Sequence, residues 1–178
     1  MKLDLYRIGG KLLDRDKIVR TVDEIIELRL KGLSQQEVAK QLKVDRTFVS
    51  RMESIGEVRR GGKIGVVGFP IANKEEIIAM LEEEGVEFRL IMNDEERIRF
   101  ASEKSGLEFL NVVMGLVTEA RSCDVVVVMG SNYRIKVCEA LLAKEVVGVE
   151  IGLSPIREDV YVDPAKIREL IKLLRQES

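Results

Sequence analysis

Residues 125–128 are four valines in a row, set between Asp124 and Met129. β-branched side chains crowd a helical turn and favour extended backbone. A half-buried strand alternates apolar with polar residues, whereas an uninterrupted apolar run hides both of its faces. The run therefore predicts the middle of a parallel sheet, with helices on each side of it.

The flanking sequence supplies the other layers. Short apolar runs at 64–69, 88–92 and 146–151 read as further strands, and Val160-Tyr161-Val162 as a short fifth one. Between them lie helical patterns at 74–84, which closes at Gly85, at 107–121 and at 133–144. A helical region from Asp94 to about Gly106 falls outside this alternation and reads as an insertion, part of a lid or an interface. Asp163-Pro164 starts a last helix, with proline in its favoured first position, and Ile167, Leu170, Ile171 and Leu174 point inward. Strand–helix alternation of this kind predicts an α/β fold. Residues 63–178 should form a three-layer α/β domain with a mostly parallel, Rossmann-like sheet that dimerises or binds an effector.

Residues 1–60 read differently. A hairpin is expected over 3–13, where Gly9-Gly10 tolerates positive φ at both turn positions. Two strands alone are marginal, so it should pack on another element or across a dimer. A helix then runs to about Lys31, with Ile18, Val22, Ile25 and Ile26 as its buried stripe and Gly32 as its left-handed cap. In the segment SQQEVAKQLKVDRTFVSRMES, residues 34–54, Ser34 and Glu37 form a capping box and Asp45 caps a second short helix. Val38, Ala39 and Leu42 make one apolar stripe, and Phe48, Val49 and Met52 another. Arg46, Thr47, Ser50, Arg51 and Ser54 are left on an outer face.

That segment resembles the helix-turn-helix of the λ-repressor-like (Xre-type) transcriptional regulators. The resemblance rests on Gln35, Val38-Ala39, Leu42, Val44, the Val49-Ser50-Arg51 run and Glu53, and covers about one-third of the chain. The family usually has glycine where Lys43 stands, so a left-handed backbone at Lys43 would cost about 1 kcal/mol. The resemblance implies a helical DNA-binding domain whose second helix enters the major groove. Arg46, Thr47, Ser50 and Arg51 would contact bases. Gln35, Gln36, Arg59 and Arg60 would contact phosphates, the last two from a linker or small wing. The partner would be double-stranded DNA, bound by a homodimer.

Charge placement agrees with this division. Residues 1–62 hold 14 Lys and Arg against 10 Asp and Glu; residues 63–178 hold 15 against 21. A basic head on an acidic body suits DNA binding by the head alone. Abundant Glu, Lys and Arg with few Asn and Gln is a thermophile-like balance. No apolar run is long enough for a membrane span, and the N-terminus lacks a signal-peptide pattern, so a cytoplasmic location is expected. Cys123 and Cys138 carry no metal-ligand spacing and read as small buried hydrophobes.

In open parallel sheets, ligands bind beyond the C-terminal ends of the strands. This chain places Gly68, Pro70 and Asn73 there, then Gly130, Ser131, Asn132 and Arg134, then Ser154. Glycines admit a ligand to the backbone, Ser131 and Asn132 precede a helix N-terminus, and Arg134 adds positive charge. A small anionic metabolite would fit, although Gly, Ser and Asn also serve any strand-to-helix turn. No Walker A, dinucleotide fingerprint or nucleophile elbow is present, and no cofactor is expected. Histidine is absent, and no acid/base pair stands out, so the expected role is regulatory and not enzymatic. The alternative is a metabolic enzyme of nucleotide or sugar-phosphate class with a helical assembly domain.

Overall fold

The computed structural model describes residues 4–58 and 61–175, in two units that divide between Glu57 and Val58. The first unit opens with an antiparallel hairpin of β1 (Leu5–Ile8) and β2 (Lys11–Asp14), with Ile8 opposite Lys11. Only Gly9 of the glycine pair takes positive φ, at 58°. That is the pattern of a II′ turn, which needs glycine at its first central position alone.

Three helices follow: α1 (Arg15–Leu30), α2 (Gln35–Leu42) and α3 (Arg46–Gly56). Each start is capped by its own sequence. Asp14 accepts the Lys17 N–H, Ser34 and Glu37 form the reciprocal box, and Asp45 accepts the Thr47 N–H at 2.6 Å. The core is small: Ile25, Val38, Ala39 and Val49, with Leu28, Leu33, Leu42, Val44 and Met52 packed around it. Lys43 ends α2 in the left-handed region, at φ 54° and ψ 40°, and its N–H bonds the Ala39 carbonyl.

Two expectations for this unit need correction. Of the α1 stripe only Ile25 is fully buried; Ile18 and Ile26 are exposed and Val22 is half-buried. Nine core residues cover only the C-terminal half of the helix. Phe48 is 42% exposed. It neighbours Val49 in sequence, and a helix turns 100° between them, so both cannot face a core this narrow.

The second unit is mixed α/β. Its strands are β3 (Ile64–Gly68), β4 (Phe88–Ile91), β5 (Val125–Ser131) and β6 (Glu145–Gly152). They form one parallel sheet in the order β4-β3-β5-β6. Its helices are α4 (Lys74–Glu83), α5 (Asp94–Ser102), α6 (Gly106–Arg121), α7 (Asn132–Leu142) and α8 (Pro164–Arg175). Every residue of β5 is buried. Val125, Val127 and Met129 pack with Ile77, Met80 and Leu81 of α4 and Ile167, Ile171 and Leu174 of α8. Val126 and Val128 pack on the opposite face with Ala120 of α6 and Leu142 of α7. No helix among the described residues is long and apolar enough to cross a membrane.

Residues 160–162 do not form a fifth strand. A single parallel bridge joins Ile71 to Val160, and there the ladder ends. Asn73 takes over from it: its amide nitrogen donates to the Val162 carbonyl at 2.8 Å and its oxygen accepts the Val162 N–H at 3.0 Å. A side chain thus satisfies both groups that a neighbouring strand would have paired.

The left-handed Lys43 gives the first prediction. Lys43→Gly should raise the stability of the helical unit by about 0.5–1 kcal/mol, since glycine adopts this conformation without a Cβ clash. A chemical-denaturation midpoint no higher than wild type would contradict it.

Candidate functional site

Two surfaces carry groups able to recognise another molecule. The first is the outer face of α3. Arg46, Thr47, Arg51 and Ser54 are exposed, while Ser50 is half-buried. Thr47, Ser50, Arg51 and Ser54 follow the three- and four-residue spacing of one helical face. Arg46 and Arg51 form no ion pair among the described residues. The Ser54 hydroxyl donates to the Ser50 carbonyl at 3.0 Å, so its proton is already used within the helix. Asp45 lies at the N-terminal end of this face, its carboxyl held below its usual range chiefly by the Thr47 backbone N–H.

Glu53 fixes how that face is presented. It lies on α3, accepts Arg29 Nε of α1 at 2.5 Å, and accepts the Gln35 side-chain amide of α2 at 2.7 Å. Arg29 also donates to the Leu33 carbonyl in the turn after α1. One carboxylate therefore ties α3 to both supporting helices. The bonds from Arg29 and then Gln35 hold its carboxyl below the usual range, against the opposing effect of burial. Gln35, expected at a phosphate, has its amide engaged in this lock, whereas Gln36 is exposed. Arg59 and Arg60 lie outside the described residues.

The second surface is a cleft of about 340 Å³ at the C-terminal ends of β3 and β5. The two strands leave in opposite directions there: β3 leads by α4 to β4 on one side, β5 by α7 to β6 on the other. Such a reversal opens a crevice in a parallel sheet. Pro70, Ser131, Arg134 and Ser154 line it, as expected from the sequence. The other four residues expected there are not in its lining. A Cβ on Gly68 would fall 2.6 Å from Met129 Cε, so this glycine permits core packing. Asn73 clamps Val162. Asn132 Oδ1 accepts the Ser154 N–H at 3.2 Å, which holds the loop after β6 against the start of α7. Gly130 meets only Arg134 Cβ and the Phe69 carbonyl at ordinary contact distances.

Asp94, Arg97, Ile156 and Arg157 also line the cleft and were missed by reading only the first few residues after β3, β5 and β6. Arg97 and Asp94 come from α5, the apparent insertion, and form an ion pair with each other. The Asp94 N–H donates to Asp159 at 2.7 Å, bringing α5 to the loop that carries Arg157. Arg134 stacks over the Phe69 ring at 4.7 Å. Burial, and then the nearby charge of Arg97, hold the Arg134 guanidinium below its usual pKa. A larger hollow, about 820 Å³, runs along α8 and mixes Glu76, Asp163 and Glu169 with Arg168 and Lys172. Most of its lining is the solvent-exposed side of α8, and Arg168 is already paired with Glu83 and Glu84.

Cys123 is buried and Cys138 half-buried, and burial raises the pKa of both thiols. Neither is poised as a thiolate near neutral pH. Among the described residues no cluster of acidic and cysteine side chains could hold a metal ion. Compared with known proteins, the chain matches no family model, no curated protein and no solved structure.

The Glu53 lock has a definite pH signature. A carboxyl whose pKa is depressed on folding stabilises the fold above its unfolded value, near 4.5, and that contribution disappears as pH falls through the folded value. Glu53→Gln should cost about 1 kcal/mol at pH 7, the group being partly exposed. Below about pH 4.5 the gap to wild type should shrink. A melting-temperature difference that stays constant from neutral pH down to acid would remove the lock from the account.

Proposed function

We propose that this protein is a sequence-specific, DNA-binding transcriptional regulator that acts as a homodimer. In this reading residues 1–60 are an Xre-type helix-turn-helix domain, and α3 enters the major groove with Arg46, Thr47, Ser50 and Arg51 at the base edges. The observation that carries the reading is the outer face of α3: Arg46, Thr47 and Arg51 exposed on a helix that Glu53 anchors to α1 and α2. A reading helix must be held rigidly while its polar side stays free, and this arrangement meets both needs.

Two apolar surfaces favour pairing of two copies. Leu107, Leu110 and Met114 lie exposed at positions i, i+3 and i+7 of α6, a helix that is apolar on its inner side as well. Helices apolar all round are normally covered. Ile18, Val19, Ile26 and Leu30 form a comparable exposed stripe along α1. Two-fold pairing would set two reading helices on half-sites about 34 Å apart. The α/β unit, with its Rossmann-like sheet, would join the copies and respond to a small anionic ligand at the cleft.

Selection of bound duplexes from a random library should return a palindrome. On the selected duplex, Arg51→Ala should cost about 1–3 kcal/mol and relax preference at one position of each half-site. Arg59→Ala should weaken binding to all sequences alike and flatten the salt dependence. Equal losses for Arg51→Ala on selected and scrambled duplexes would deny it a base-reading role.

A further inference from the structure

Three arginines from three separate segments converge on the cleft: Arg97 from α5, Arg134 from α7, and Arg157 from the loop after β6. Like charges gathered at one place repel, and the proximity of Arg97 already disfavours the charged form of Arg134. Only Asp94 offsets them within the lining, and it is paired with Arg97. The balance of the lining is two positive charges. Arg97 Nε is buried and has no hydrogen-bond partner. Ser131, also in the lining, is 2% exposed and is the one fully buried polar residue among those described. Its oxygen accepts the Arg134 N–H at 3.4 Å, and its own proton has no acceptor among the described residues.

From this we infer that the cleft binds a phosphomonoester dianion, with Arg97, Arg134 and Arg157 around the phosphate and the Ser131 hydroxyl donating to one of its oxygens. The inference deepens the effector-binding part of the proposed function and rests on it. A dianion matches the two uncompensated charges, as a monocarboxylate or a phosphodiester does not. Guanidinium forks suit the oxygens of a phosphate group. α7 begins at Asn132, beside Ser131, and adds the favourable end of its dipole. Pro70, Pro155 and Ile156 give an apolar wall for the carbon part of the ligand. At about 340 Å³ the cleft lies near the small end of metabolite sites, which run to about 1,000 Å³. A small phosphorylated metabolite fits this size better than a dinucleotide.

The test uses the full chain and two probes, inorganic phosphate and phenyl phosphate, titrated by calorimetry at matched ionic strength with chloride and acetate as controls. Wild type should bind both phosphates and neither control. Arg134→Gln and Ser131→Ala should each weaken binding, Arg134→Gln by about tenfold or more. Arg99→Gln, on α5 but outside the cleft lining, should bind like wild type. Melting curves without probe show that each variant is folded, and Ser131→Ala, the smaller change, stands in if Arg134→Gln is not. Absence of phosphate binding, or equal weakening by Arg99→Gln, overturns the proposal. So does loss of duplex affinity by Arg134→Gln without phosphate present, which would assign the arginines to the DNA backbone. Duplex binding by wild type is measured separately, so a failed cleft and a failed regulator give different results.

Discussion

A strand buried along its whole length must be roofed on both sides, and β5 imposes this requirement on everything around it. Its side chains alternate between two cores, one closed by α4 and α8 and the other by α6 and α7. Helices on both faces force the connections to cross over and the strands to run parallel. Parallel strands bring their C-terminal ends to one edge, and the departure of β3 and β5 in opposite directions leaves a gap there. The cleft is thus a geometric by-product of burying β5, and the side chains around it follow from where α5, α7 and the loop after β6 must pass.

The helical unit solves a different problem with less material. Its nine core residues bury little apolar surface, and units this small are marginal on hydrophobic burial alone. Polar ties supplement the core: three side-chain caps at the helix starts and the Glu53 contacts among all three helices. Much apolar surface remains uncovered on α1 and on the hairpin, where Leu5, Tyr6, Ile8 and Leu12 are exposed. A second copy laid against these residues would supply the burial that a single unit lacks.

What could be read from the sequence was mostly what is encoded locally. Ser34 and Asp45 cap helices whose first turns are their immediate neighbours, and the valines of β5 mark their own burial. Errors arose where distant residues decide. Phe48 has an apolar side chain at helical spacing, yet the core lacks the breadth to cover it. Val160 has strand-like neighbours, yet at Val162 a side chain from 89 positions away takes the place of a ladder. In the cleft, the strand-end rule identified Pro70, Ser131, Arg134 and Ser154, because those lie at or just beyond the ends of β3, β5 and β6. Arg97 and Arg157 depend on how α5 and the last loop fold back, and no local pattern records that. Gly68 fits the rule for a ligand turn equally well, but its Cβ direction faces Met129, Ile71 and Ile91 of the core and not the cleft.

The Asn73 clamp makes the molecule sensitive to a very small chemical change. Its amide nitrogen donates at once to the Val162 carbonyl and to Glu76 Oε2. An aspartate there would differ by a single atom exchange, yet it would have no proton to give and a negative charge to place between two acceptors. Deamidation would therefore set the start of α4 and the segment leading into α8 against each other. Ageing of the protein by this one hydrolysis would loosen two helices on the same face of the sheet together.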